Sequence, residues 1–222
     1  MILIKIAPSI AAGDQGQLAA EAMRVERAGA DWIHIDIMDG RFAPNLTFGP
    51  AMVKALRRAV KIPLDCHLML DEPGKFVDRF LEAGADYVVV HAEAVNPTTL
   101  EQIESSVKKA GKNLGIAFKP ETMLSSLDLG SRDVSVVTVM SVNPGFSGQK
   151  FIHSVLPKIG EASREFSKRG IEIEVDGGVD LQNAKLVYEE GATVLVGGNS
   201  VFGTGDPSVS IGELKRAVGS ST

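Results

Sequence analysis

Apolar residues follow two rhythms along this 222-residue chain. Short runs such as Ile33-His-Ile-Asp-Ile-Met alternate apolar and polar side chains, the two-residue period of a strand. Longer stretches such as 17–28 repeat their apolar positions at helical spacing. In chain order the pattern predicts strands at 3–9, 31–38, 64–69, 86–91, 113–118, 134–141, 171–176 and 193–196. It predicts helices at 17–28, 48–59, 73–83, 98–110, 122–127, 151–168, 181–190 and 207–218. Gly29, Gly84, Gly111, Gly170 and Gly191 stop five of the helices, because glycine takes the left-handed conformation that ends one. Strict alternation of strand and helix implies a parallel sheet. Eight units imply a single-domain (β/α)8 TIM barrel over residues 1–222. The competing architecture is an open doubly wound sheet, but no G-x-G-x-x-G follows the first strand.

In such a barrel the chemistry sits at the carboxyl ends of the strands. Alternation puts His34, Asp36 and Met38 on one face of the second strand. It puts Asp65, His67 and Met69 together on the third, and Glu174 with Asp176 on the seventh. His34, Asp36, His67 and Asp176 thus form a four-donor set suited to one divalent metal ion: Zn, Fe, Mn or Co. Asp65 and Glu174 fall a layer deeper, as buried hydrogen-bonded groups. His91, at the end of the fourth strand, is read as structural. Met38, Met69 and Met140 form an apolar lid that keeps water from the site. The loops Asp176-Gly-Gly-Val, Gly197-Gly-Asn-Ser and Asn143-Pro-Gly-Phe-Ser-Gly bring exposed backbone N–H groups close together, which suits a phosphate.

Composition narrows the setting. A net charge of -5 without a basic block argues against nucleic acid or an anionic membrane as partner. Cys66 is the only cysteine, so no intrachain disulfide forms, and a cytoplasmic protein is expected. Residues 1–10 lack the apolar core of a signal peptide, and no apolar run is long enough to span a bilayer.

Six stretches carry a family resemblance: Ala7-Pro-Ser-Ile, Ile35-Asp-Ile-Met-Asp-Gly, Pro44-Asn-Leu-Thr-Phe-Gly-Pro, Leu64-Asp-Cys-His-Leu-Met, Met140-Ser-Val-Asn-Pro-Gly-Phe and Glu174-Val-Asp-Gly-Gly-Val. Together they make the chain similar to the ribulose-phosphate 3-epimerases. The resemblance implies a metal-dependent isomerase interconverting D-ribulose 5-phosphate and D-xylulose 5-phosphate. Asp36 and Asp176 would be its acid/base pair, His34, Asp36, His67 and Asp176 its metal ligands, and Ser9 a substrate contact. Gly145, Phe146, Ser147, Gly148, Gly177, Gly178, Gly198 and Asn199 would surround the phosphate. A homo-oligomer is expected. Inverting a carbon beside a carbonyl needs a proton removed from one face and one returned on the other, which two flanking carboxylates can do through an enediolate. Three segments depart from the family pattern: Ala12-Gly-Asp-Gln stands for Ser-Ala-Asp-Phe, Gly198-Asn for Gly-Ser, and Asn96-Pro-Thr for a usual His and Arg. A hexulose-phosphate 3-epimerase acting on allulose 6-phosphate is the alternative within the same chemistry, and the Asp176-Gly-Gly-Val loop favours the pentose enzyme. A non-catalytic sugar-phosphate-binding barrel is the alternative outside it.

Overall fold

Isoleucine, valine and leucine dominate the strands, and they assemble one parallel sheet in this computed structural model, which describes residues 4–203 and 205–219. The predicted start of the first strand at residue 3 lies outside that range, as do both ends of the predicted 1–222 domain. The strands are β1 (Lys5–Pro8), β2 (Ile33–Met38), β3 (Leu64–Met69), β4 (Tyr87–His91), β5 (Asn113–Phe118), β6 (Val136–Met140), β7 (Glu172–Asp176) and β8 (Val194–Gly197). They run in the order β1-β8-β7-β6-β5-β4-β3-β2, every pair parallel. The ring shuts between β1 and β2, where Ser9 bridges His34 in parallel and Ile6 O accepts from Asp31 N at 2.9 Å. The result is a (β/α)8 barrel.

Around it lie α1 (Leu18–Arg27), α2 (Pro50–Ala59), α3 (Val77–Ala83), α4 (Pro97–Lys109), α5 (Leu156–Phe166), α6 (Ala184–Glu189), α7 (Asn199–Phe202) and α8 (Pro207–Ala217). Proline opens α2, α4 and α8, where its missing N–H costs nothing. Asn96 caps α4 by accepting from Thr99 N at 2.9 Å, and Asp206 caps α8 through Ser208 N at 2.9 Å. All five predicted stop glycines have positive φ. Gly84 shows why: its φ is +106°, and a Cβ there would stand 2.6 Å from Arg57 Cγ.

Two helical segments differ from expectation in kind, and others in where they begin. Residues 122–127 make only one 3-10 turn, Leu124–Ser126, and the stretch after β8 forms the unpredicted α7. The first is a single turn where the pattern predicts a longer helix, and α7, four residues long, is too short for a 3.6-residue period to register. The predicted helices at 73–83, 151–168 and 181–190 begin later, at Val77, Leu156 and Ala184.

The main core lies between sheet and helices and includes Ile35, Leu56, Phe80, Ile103 and Ile159. Inside the ring the apolar filling is smaller: Ala7, Trp32, Val89, Ala117, Val136, Val194 and Val196. The amino end of the ring is braced by charge. Asp86 takes Arg57 at 2.7 Å and Lys112 at 2.7 Å, and Lys5 pairs with Glu172. The carboxyl end is left for polar groups that face a cavity.

Candidate active site

Register sets the levels inside the barrel. His34 lies beside Asp65, and Asp36 beside His67, across the β2–β3 ladder. Thr138 lies beside Glu174, and Met140 beside Asp176, across β6–β7. Every side chain in these pairs points inward by strand alternation.

The four expected donors meet. One atom from each of His34, Asp36, His67 and Asp176 lies within 4.8 Å of all the others. His34 Nε2 is 3.3 Å from Asp36 Oδ1 and 3.7 Å from Asp176 Oδ2. His67 Nδ1 is 3.3 Å from Asp176 Oδ2 and 3.6 Å from Asp36 Oδ1. Both ring nitrogens are buried without a hydrogen-bond partner. Buried polar atoms are seldom left so, and these two converge on two carboxylates. An orphaned imidazole pair with two oxygen donors fits a divalent cation.

The remaining atoms of the set are held. His34 Nδ1 is 2.7 Å from Asp65 Oδ2. Ser9 Oγ donates to Asp36 Oδ2 at 2.6 Å, which leaves Oδ1 facing the histidines. His67 Nε2 is 2.9 Å from His91 Nε2, and His91 Nδ1 is 3.0 Å from Glu93 Oε2. His91 is therefore structural as expected, and it is also part of the support of the site. The count that put His67 inward, every second residue, also puts Tyr87, Val89 and His91 inward and could have revealed this.

Electrostatics separate the groups. Burial opposes charge on His34, yet Asp36, Asp176 and Asp65 outweigh it and hold its pKa well above the usual range. Burial likewise opposes charge on His67, but the facing carboxylates of Asp176 and Asp36 lift it to about 9. Burial works against ionised Asp36, but the two imidazoles pull its pKa far below the carboxylate range. Burial wins at His91, which falls to about 4 despite Glu93. At Glu174, burial and then Asp65 push the carboxyl well above its ordinary value.

Above this cluster opens a cavity of about 960 Å3. Ser9, Asp36, Met38, Met69, Met140 and Asp176 line its floor and walls. Gly145, Phe146, Ser147, Gly148, Gly177, Gly178, Gly198 and Asn199 line it as well. His34 and His67 lie just beneath, fully buried. Met69 and Met140 are nearly covered, and Met38 is half-buried. Gly177 and Gly178 turn the chain sharply after Asp176, with φ +116° and +64°. A Cβ would stand 2.3 Å from Val142 Cγ2 at the first and 2.7 Å from Phe151 N at the second. No side chain fits either position.

Several supporting residues escaped sequence reasoning. Thr47 Oγ1 donates to Asp36 O at 2.6 Å and accepts from Met38 N at 2.9 Å. Ser141 Oγ donates toward Gly177 O at 2.5 Å, and Asn183 Nδ2 to Gly178 O at 2.9 Å. Asn45 Nδ2 reaches Gly145 O at 2.9 Å, tying the loops after β2 and β6. These are loop contacts at irregular separations, from 5 residues for Asn183 to 100 for Asn45, with no periodicity to announce them.

A barrel whose carboxylates and imidazoles gather under a cavity at the carboxyl ends of its strands has the build of a (β/α)8 enzyme. The model of the ribulose-phosphate 3 epimerase family matches residues 5–202, and the chain belongs to that family, as an isomerase of the epimerase kind. It is 46% identical over 216 residues to a ribulose-phosphate 3-epimerase of Bacillus subtilis, covering 96% of this chain and 99% of that one. It is 44% identical to a chloroplastic ribulose-5-phosphate-3-epimerase of Arabidopsis thaliana, covering 96% of this chain and 77% of that one. Among solved structures, KGPDC from Streptococcus mutans superposes with a TM-score of 0.74 at 14% identity, over 97% of each chain. The 3-hexulose-6-phosphate synthase from Salmonella typhimurium gives 0.71 at 18%, over 97% of this chain and 98% of that one. Those two likenesses concern the fold. No helix among the described residues is long and apolar enough to cross a membrane.

Proposed function

We propose that this chain interconverts D-ribulose 5-phosphate and D-xylulose 5-phosphate by moving a proton at the third carbon, with one divalent metal ion held by His34, Asp36, His67 and Asp176. The observation that carries the reading is the meeting of Asp36 and Asp176 around two buried, unpartnered imidazole nitrogens at the cavity floor. The family relatives bear the matching name. When bound, the cation would supply Lewis-acid stabilisation for negative charge developing on the substrate oxygens.

The chain's own residues do the rest. Asp36 and Asp176 come from β2 and β7, three strands apart around the ring. A sugar lying between them has one carboxylate near each face of its third carbon. One removes the proton as base, and the other returns a proton to the opposite face as acid. Ser9, donating to Asp36 Oδ2, fixes the orientation of that carboxylate. Met38, Met69 and Met140 offer an apolar wall that excludes water from the enediolate. The glycine turns after β6, β7 and β8 present backbone N–H groups to the phosphate. The reading includes a single catalytic domain and a homo-oligomer in the cytoplasm, which light scattering and cell fractionation test.

The decisive experiment is a coupled assay with ribulose 5-phosphate and allulose 6-phosphate side by side, run in deuterated water. Turnover of the pentulose with deuterium entering at its third carbon supports the reading. Preference for the hexulose replaces the substrate, and absence of exchange with either removes the two-carboxylate chemistry.

A further inference from the structure

A carboxylate only accepts hydrogen bonds, and that fact propagates through three side chains. Glu93 Oε2 lies 3.0 Å from His91 Nδ1, so that nitrogen carries a hydrogen. His91 is fully buried, which disfavours a charged ring, so with its hydrogen on Nδ1 the other nitrogen, Nε2, presents a lone pair. That lone pair lies 2.9 Å from His67 Nε2, which must therefore be the donor. The His67 nitrogen left to receive a cation is Nδ1. It is the buried, unpartnered atom that faces Asp176 at 3.3 Å and Asp36 at 3.6 Å.

The relay is built rigidly. The His67 and His91 rings lie 19° from parallel with centroids 4.9 Å apart, and Phe42 packs on His91 at 4.5 Å. Glu93 is anchored from the neighbouring strand, because Lys119 N donates to its Oε1 at 2.8 Å. We infer that His91 and Glu93 are positioning residues that determine which ring nitrogen of His67 is offered to the metal. Histidine ligands commonly have their far nitrogen fixed by a carboxylate. Here a second imidazole stands between, so the polarity set at Glu93 reaches His67 only through His91. This inference rests on the metal reading given above for its consequence, but not for the hydrogen-bond order itself.

Glu93→Gln tests it because the amide can point only one way. Lys119 N–H keeps the amide oxygen, so the NH2 group faces His91 Nδ1. That nitrogen must then accept, the His91 hydrogen moves to Nε2, and His67 Nε2 becomes the acceptor. Its hydrogen then sits on Nδ1, aimed into the site. Nitrogen-15 histidine NMR of the metal-free full chain, taken above pH 9 where the His67 ring carries a single hydrogen, reads this directly: His67 Nε2 is expected protonated in the wild type and bare in Glu93→Gln. Titration with Co2+ should show binding weakened about 10–100-fold, the usual cost of losing such a partner. A bare His67 Nε2 in the wild type, or an unchanged pattern in the variant, overturns the relay, and the first of these needs no variant to fold. If the pattern reverses but the wild type does not bind Co2+, the metal reading falls and the relay stands.

Discussion

Two polar clusters sit one above the other inside the barrel and share His34. The upper one joins His34 Nε2 to Asp36, His67 and Asp176, and it meets the cavity, where Asp36 is 9% and Asp176 7% exposed. The lower one joins His34 Nδ1 to Asp65 and Glu174, with Thr138 donating to Glu174 Oε1 at 2.8 Å, and it is sealed. The ingredients are alike: two carboxyl groups around the His34 imidazole, with a second imidazole, His67, in the upper cluster. In the sealed cluster, burial and then Asp65 push the Glu174 carboxyl well above its ordinary range, which favours the uncharged form. In the open cluster Asp36 stays ionised, and the two imidazole nitrogens that face it have no hydrogen-bond partner. Access to the cavity separates a cluster that can work on a ligand from one that holds a ring in place.

The largest effect expected on this contrast comes from Asp36→Asn and Asp176→Asn. Each should lower kcat by about 10²–10⁴-fold, the range for losing a general acid or base, while the thermal melt stays that of a folded barrel. A variant with near wild-type rates would erase the distinction between the clusters.

Next in size is the response of the upper cluster to metal and pH. Chelation should abolish activity, and a divalent cation should restore it. In the metal-free chain His67 has its pKa raised from 6.5 to about 9. A raised imidazole stabilises the fold fully below 6.5, and that contribution is lost as pH climbs through 9. A cation competes with the same protons, so the advantage of the loaded chain in melting temperature should widen across that window. Paired melts at several pH values check the slope, and a gap that narrows with rising pH contradicts it.

The smallest effect belongs to the lower cluster. Glu174→Gln replaces the carboxyl by an amide of the same shape that cannot ionise. It should leave kcat essentially unchanged. A carboxyl held above 4.5 in the fold costs stability as pH rises above that value, and glutamine carries no such cost. The variant should therefore melt above the wild type at neutral pH, with the difference shrinking toward pH 4.5. A large loss of turnover would show that both clusters take part in catalysis.

Much of this was readable from residue order because a period of two does not depend on distant contacts. The strand expected at 31–38 is Ile33–Met38, and alternation alone turned His34 and Asp36 inward and Ile35 outward. Asp176 was found in the same way. What stayed hidden depends on tertiary approach. Thr47 reaches back to Asp36 O from a loop, and Asn45 crosses to Gly145. His91 was legible as an inward residue, but its hydrogen bond to His67 depends on how far two rings extend toward one another. The turn α7 is four residues long and has no face to bury in a pattern.

The β1–β2 closure has a consequence for the newly made chain. His34, Asp36 and His67 lie in the first third of the sequence, and Asp176 lies in the last quarter. Ser9 reaches Asp36 only where the first strand meets the second, and the first strand is otherwise paired to the eighth. A polypeptide emerging in order from the ribosome therefore carries three of its four donors long before it has anything to complete them. The four donors can meet only once the seventh strand has been made and has taken its place in the ring.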